Sequence, residues 1–248
     1  MTPFFRLLLG HLVGDFVLQT IGLVHYKAHS WRGLFLHAGI VVASSALCLW
    51  EYLPKWWLWL VPLFVSHLLI DWGKILSSRN LPRWGLLLFL LDQTLHVGMV
   101  VAVVCWAERG WPYHLATEIV GGAAGQATLF LFLLGVLAAV FVMPLLEVQV
   151  ARTVLRAPSG GTGGNNSPPA SLADRLWGGG ERIAALAMLC SGGVALWFVP
   201  VAFLPRAFVQ LRHRDQPYPA RVRRVKIATS IVCTALLGLL LCWLGGRL

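Results

Sequence analysis

The sequence predicts an all-α fold, a polytopic membrane helix bundle built from six or seven hydrophobic segments. Hydrophobic residues make up 58% of the 248 positions and charged residues only 12%, whereas about 25% of the residues in a soluble domain are charged. The mean hydropathy is +0.73. Apolar runs of about 18 residues or more, long enough to cross a hydrocarbon core of about 30 Å, recur along the chain. Together these observations indicate a multi-pass membrane protein.

The apolar segments are separated by short polar or aromatic stretches. Tryptophan and tyrosine crowd several segment ends, among them Trp31, Trp50 and Trp84, which is typical of residues at a membrane–water interface. The predicted spans cover residues 3–24, 32–50, 56–76, 84–106, 127–150, 181–205 and 225–244.

The net charge of +10 is expected to lie in loops that face an anionic membrane surface. The chain has no basic motif interleaved with aromatic residues, so no nucleic-acid partner is predicted. The five cysteines lie singly in or beside apolar segments and form no Cys-x-x-Cys pair. Neither disulfides nor thiolate zinc sites are therefore expected. No feature of the sequence indicates an oligomeric state.

A tract rich in Gly, Ser and Pro divides the chain. Residues 156–180 contain APSGGTGGNNSPPASLAD and are predicted to be a flexible linker, because this composition offers little apolar surface to bury. Residues 1–155 are expected to form a front transmembrane bundle. Residues 181–248 are expected to form a back helical pair with a basic loop.

Loop charges predict the orientation. The loops after the first, third and fifth spans are rich in Lys and Arg, whereas those after the second and fourth are poor in them. The positive-inside rule then places the N-terminus outside and the basic loops in the cytoplasm. Loop 205–226 is the most basic and is also expected to be cytoplasmic, although strict alternation would place it outside. A glycine pair and two prolines within 181–205 would let that segment turn back before it crosses the membrane. The predicted number of spans is therefore six or seven.

Polar residues inside the front spans form pairs at helical spacing. Residues four positions apart share a face of an α-helix. A charged residue at the bilayer centre costs about 3 kcal/mol, so three aspartates facing lipid would cost about 9 kcal/mol, comparable to the stability of a whole domain. The pairs are therefore expected to converge in the cytoplasmic half of a four-helix bundle. They are His11–Asp15 in the first span, His67–Asp71 in the third and Asp92–His96 in the fourth.

Imidazole and carboxylate groups are ligands of zinc, iron and manganese. The three pairs are therefore predicted to bind one or two divalent metal ions, whose charge offsets that of the aspartates. Asp15 and His37, a histidine of the second span, are the candidate catalytic residues, with His37 as a further ligand or proton shuttle. Gln19 continues the polar stripe of the first span. The alternative is that these groups only hydrogen-bond across helices, which is the favoured interpretation for His37 taken alone.

Glu181 and Arg182 form a further charged pair, which follows three glycines at the predicted start of the sixth span. Glu181 is expected to stabilise a helix N-terminus. The alternative is an intramembrane ion pair with Arg182 that reaches toward the metal cluster.

The motifs GHLVGDFVLQT, LFLHA, SHLLID and LLDQTLH resemble the bacterial membrane family catalogued as domain of unknown function 3307. GGGERIAALAML and VPVAFLPRAF in the back half are similar to it as well. One departure is IGLVHYK, since the family often has Trp or Met soon after the Gln-Thr. The resemblance implies a multi-pass protein of the bacterial inner membrane and supplies no established activity. A looser similarity, of ligand type only, links the His/Asp-rich apolar helices to predicted membrane-bound metal-dependent hydrolases.

We therefore expect an integral membrane metalloprotein, with a metal-dependent hydrolase as the leading hypothesis. An open coordination position would let a bound water act as nucleophile near neutral pH. Basic residues after the first and third spans would hold the anionic group of a lipid-linked substrate at the cytoplasmic leaflet; they are Lys27, Arg32, Lys74 and Arg79. The alternatives are a proton or divalent-cation transporter and a non-catalytic membrane partner protein with a structural metal. The polar groups concentrate at one depth, which argues against a transport path.

Overall fold

The computed structural model describes residues 3–108, 126–154, 172–192, 195, 198–205, 208 and 220–244. All regular structure within these residues is helical, so the predicted fold class is confirmed. Five segments are long and apolar enough to cross a membrane, or six if the bent pair Pro3–Val17 and Ile21–His29 is one span. The described part of the chain thus contains five or six candidate spans, and part of the predicted segment 181–205 lies outside it.

The chain divides into two compact units. The first comprises Met1–Leu81 and Leu87–Leu134, and the second comprises Pro82–Leu86 and Gly135–Leu248. Long helices joined by short helical turns form the first unit. Its helices are α1 Pro3–Leu12, α2 Ile21–His29, α3 Trp31–Cys48, α4 Leu53–Trp56, α5 Leu60–Asn80 and most of α6 Gly85–Ala107.

A π-helical turn, Val13–Val17, follows α1 and contains Asp15. The N–H of Leu18 donates to the carbonyl of Val13 at 2.9 Å, which closes this wider turn. Such turns are rare and often occur at functional sites. Here the turn places the Asp15 carboxylate inside the bundle, where the residue is buried.

The chain bends by 90° between Pro3–Val17 and the following helix, α2. The side-chain oxygen of Thr20 accepts a hydrogen bond from the N–H of Leu23 at 3.3 Å, and this cap starts α2. Residues 21–29 were expected to be the end of a span and a polar loop. They instead form a separate helix, because the capped break after Val17 lets the chain restart in a new direction.

Helices α1 and α3 pack with their backbones in close approach. A Cβ atom added at Gly10 would lie 2.5 Å from the Cα of Ser45, and one added at Gly14 would lie 2.5 Å from the Cα of Val41. Small residues four positions apart allow this kind of packing between membrane helices. The contact brings the His11–Asp15 stretch directly against α3.

An apolar core occupies one end of the first unit, where α1, α5 and α6 meet the aromatic segment around α4. Its packing holds these helices in the register on which the polar site depends. The buried residues of this core are Leu7, Leu49, Trp56, Leu63, Met99, Val100, Val103 and Val104.

The rest of the described chain contains α7 Gln126–Leu137, a π-helical turn Ala138–Val142, α8 Met143–Val154, α9 Leu172–Ser191, α10 Val199–Ala202 and α11 Ala220–Leu244. Helix α9 includes residues 172–180, the last part of the predicted linker, while residues 155–171 lie outside the described residues. After α9, Gly192 adopts a φ of +68°, which favours glycine. This break agrees with the interruption predicted within 181–205. Most of loop 205–226 lies outside the described residues, so its side of the membrane stays a prediction.

Candidate metal centre

Three helical segments of the first unit carry the same order of residue types, one turn apart. An apolar residue is followed by a histidine and then by an aspartate, and all nine side chains are buried. The sets are Leu7, His11 and Asp15 on α1 and its π turn, Leu63, His67 and Asp71 on α5, and, in reverse chain order, Val100, His96 and Asp92 on α6. We call His11, His67 and His96 the imidazole layer, and Asp15, Asp71 and Asp92 the carboxylate layer.

The three rings of the imidazole layer are in mutual contact. The ring centroid of His11 lies 5.3 Å from that of His67 and 4.9 Å from that of His96. The centroids of His67 and His96 are 4.5 Å apart. One ring nitrogen from each histidine lies within 4.8 Å of the other two. Three nitrogens at these separations could hold one metal ion if the rings turned toward it, because zinc–nitrogen bonds are about 2.0–2.1 Å long.

Five nitrogens of the imidazole layer have no hydrogen-bond partner among the described residues. They are both ring nitrogens of His11, both of His67, and Nε2 of His96. Nδ1 of His96 lies 2.9 Å from the backbone carbonyl oxygen of Asp92. Since a carbonyl oxygen can only accept, Nδ1 carries the proton and Nε2 keeps a free lone pair. A backbone carbonyl that orients an imidazole in this way is typical of histidines that bind metals.

His37 of α3 contacts two aspartates of the carboxylate layer. Its Nε2 lies 3.0 Å from Oδ1 of Asp15 and 3.2 Å from Oδ2 of Asp71. The side-chain amide nitrogen of Gln19 is 3.0 Å from the same ring atom. Oδ2 of Asp71 is also 3.6 Å from Nε2 of His67, which links the two layers. His37 is therefore placed to exchange a proton with two carboxylates.

Two lysines contact aspartates of the carboxylate layer. Nζ of Lys27 lies 2.8 Å from Oδ2 of Asp71, and Nζ of Lys74 lies 2.5 Å from Oδ2 of Asp92. Gln93 donates to the same Asp92 oxygen at 2.8 Å. Both lysines are loop residues in the sequence-based prediction, which does not include these contacts. For Lys74 a signal was available, since it follows Asp71 by three positions within an apolar helix.

The structure thus brings together the seven predicted ligand and catalytic residues of the front half, and Gln19, also predicted for the polar stripe, lies beside them. Two further sets of potential ligands overlap the imidazole layer, each with its ligand atoms within 4.8 Å of one another. One set is Asp15, His37 and His67, and the other is Asp71, Asp92 and His96. These groups could hold a metal ion, while the role of each residue as a ligand stays a prediction.

Glu181 and Arg182 lie inside α9 and not at its start, because that helix begins at Leu172. The interpretation of Glu181 as a helix N-terminal residue is therefore wrong. Both residues are buried, and Arg182 forms an ion pair with Glu147 of α8 within the second unit. The hydroxyl of Ser230 lies 3.4 Å from the same guanidinium nitrogen.

Residues 4–119, just under half of the chain, match the model of a family described as "Protein of unknown function (DUF3307)". This region contains both layers, His37 and the two lysines. No curated protein and no solved structure matched the chain. The similarity to membrane-bound hydrolases and a bacterial origin therefore stay predictions.

Proposed function

We propose that the imidazole layer binds a divalent metal ion and that the protein is a metal-dependent hydrolase acting within the membrane. The observation that supports this proposal is the set of five imidazole nitrogens that lack a hydrogen-bond partner in the described part of the chain. Leaving a buried polar group unsatisfied costs about 1–3 kcal/mol. A metal ion bound by one ring nitrogen of each histidine would remove that cost at three of the five nitrogens.

The donor set favours zinc, iron or manganese over calcium or magnesium, which prefer oxygen ligands. Three histidines leave a fourth position open, as in catalytic zinc sites. A water molecule bound there would ionise near neutral pH and become a nucleophile. The carboxylate layer lies one turn from the imidazole layer and would supply further ligands or orient that water.

Asp15 and His37 are suited to proton transfer in this scheme. In hydrolysis of a phosphoester, the oxygen of the water forms a bond to phosphorus and the bond between phosphorus and the alcohol oxygen breaks. His37 would accept one proton of the water, and Asp15, at 3.0 Å, would stabilise the charged imidazole. His37 would then give this proton to the departing alkoxide and return to its starting state.

Metal content measured by elemental analysis tests the metal site. The protein is purified in detergent, loaded in turn with zinc, manganese or ferrous iron, and freed of excess metal. We expect about one equivalent or more in the wild type and a sharp loss in His67→Ala and in His96→Gln, two variants that differ in how much packing they disturb. His25→Ala is the control, because His25 is exposed.

Equal metal in all variants, or none in the loaded wild type, would contradict the metal site. Turnover is a separate measurement: release of inorganic phosphate from a lipid phosphomonoester in nanodiscs, with and without metal. Stoichiometric metal without turnover on such substrates would favour the structural-metal alternative over a hydrolase.

A further inference from the structure

Lys27 and Lys74 approach the carboxylate layer from different helices, α2 and α5. Each ammonium group contacts one aspartate, and the side chains are 11% and 33% exposed. The carboxylates they contact are close neighbours, since an oxygen of Asp71 and an oxygen of Asp92 lie within 4.8 Å of each other. The two ammonium groups therefore contact neighbouring carboxylates, and the Lys74 side chain is the more exposed of the two.

The carboxylates that the two lysines contact lie near one end of their helices. Asp71 precedes the end of α5 at Asn80 by nine residues, and Asp92 follows the start of α6 at Gly85 by seven. At a rise of 1.5 Å per residue these carboxylates lie roughly 10–14 Å from the helix ends. A lipid headgroup or a water-soluble group can come within reach of a lysine side chain at that depth.

A bound metal ion would add positive charge beside the carboxylate layer. Its three carboxylates are contacted by only two ammonium groups, so the lysines alone give the cluster no surplus of positive charge. A divalent ion would supply that surplus. It would also attract the aspartates and weaken their contacts with the lysines. Metal binding would thus provide a charge that favours an anion and two ammonium groups able to bind one.

We infer that Lys27 and Lys74 form a phosphate-binding site that becomes available when the metal is bound, and that the substrate carries a phosphate ester group; this inference rests on the proposed function. Lysine binds phosphate as a point charge with three donors. Two lysines from different helices would hold a phosphoryl group beside the metal-bound water.

Equilibrium binding of pyrophosphate to the purified protein tests the inference, with metal content measured on the same samples. We expect binding in the metal-loaded wild type and at least tenfold weaker binding without metal. Lys27→Gln and Lys74→Gln should keep their metal and lose about tenfold or more in pyrophosphate affinity, in line with hydrogen bonds to charged groups. Lys55→Gln, at an exposed position of α4, should bind pyrophosphate as the wild type does.

Nanodiscs containing phosphatidic acid or only phosphatidylcholine separate the two sources of phosphate. Metal-dependent retention of phosphatidic acid indicates a lipid substrate, whereas pyrophosphate binding alone indicates a water-soluble one. Metal-loaded lysine variants that bind both probes like the wild type would overturn the phosphate site and leave the metal site standing. Absence of metal from the loaded wild type would overturn both proposals.

Discussion

Gly10 of α1 and Ser45 of α3 bring their backbones into direct contact, because a Cβ atom at Gly10 would lie 2.5 Å from the Cα of Ser45. One turn further, Gly14 makes the same approach to Val41. This contact lies beside His11 and Asp15, and His37 of α3 is one turn from Val41. The geometry of the polar site therefore depends on the absence of two side chains.

We expect Gly10→Ala to destabilise the protein by about 1–3 kcal/mol or more, since the new methyl group meets backbone atoms that cannot rotate away. The variant should also bind less metal, because α1 would move away from α3. Thermal unfolding in detergent and elemental analysis measure the two effects. Gly39→Ala is the matched control: nothing lies within 4 Å of a Cβ at Gly39, so its stability should stay the same or rise slightly. Equal unfolding temperatures for Gly10→Ala and the wild type would contradict the close packing.

Removing the metal should lower the stability of the wild type. A ligand that binds only the folded state adds about 2.7 kcal/mol when its free concentration is 100 times its Kd. A chelator should therefore reduce the unfolding temperature, and added metal should restore it. In His67→Ala the unfolding temperature should not respond to either treatment. A wild type that is insensitive to both would argue that the imidazole layer is stable without a cation.

The polar site was predictable from the sequence to the extent that it follows helical spacing. The pairs His11–Asp15, His67–Asp71 and Asp92–His96 lie four residues apart in apolar helices, and the cost of exposing aspartate to lipid requires them to turn inward. The close packing of α1 and α3 also has a signal in the sequence, the Gly-x-x-x-Gly pattern of residues 10–14, which is typical of closely packed membrane helices.

The contact between Lys27 and Asp71 was not predictable in the same way. The two residues are 44 positions apart, and they meet only because the chain bends by 90° after Val17. A π-helical turn and a capped break produce that bend, and neither has a distinctive hydrophobic period. The start of α9 at Leu172 was missed for a related reason, since three glycines at 178–180 favour a break that the structure does not show.

We expect the protein to lose more stability when one partner of the Arg182–Glu147 ion pair is removed than when both are replaced by apolar residues. Both side chains are almost fully buried. Removing one partner of a buried ion pair typically costs about 3–5 kcal/mol, whereas apolar replacement of both partners is often neutral or stabilising. Arg182→Met should therefore unfold at a much lower temperature than the wild type. The double variant Glu147→Leu, Arg182→Met should recover most of the loss. A double variant as unstable as Arg182→Met would show that the pair has a role beyond charge compensation.

Asp15 offers the most direct test of a metal role within the carboxylate layer. Its Oδ1 lies 3.0 Å from Nε2 of His37, a distance that suits either a hydrogen bond or two ligands of one cation. Asn keeps the shape and a hydrogen-bonding oxygen but removes the charge, and an amide is less costly to bury than an unpaired carboxylate. The fold of Asp15→Asn should therefore be retained.

If Asp15 acts on the metal, metal affinity in Asp15→Asn should fall about ten- to a hundredfold, as is usual when a ligand or its supporting group is removed. Competition with a chelator of known affinity measures that change. Glu51→Gln is the control, since Glu51 is an exposed carboxylate paired with Arg6, and its metal affinity should equal that of the wild type. If Asp15 only hydrogen-bonds to His37, Asn replaces it adequately and the affinity does not change. Equal affinities in Asp15→Asn and Glu51→Gln would thus remove Asp15 from the metal site, while a loss confined to Asp15→Asn would place its charge there.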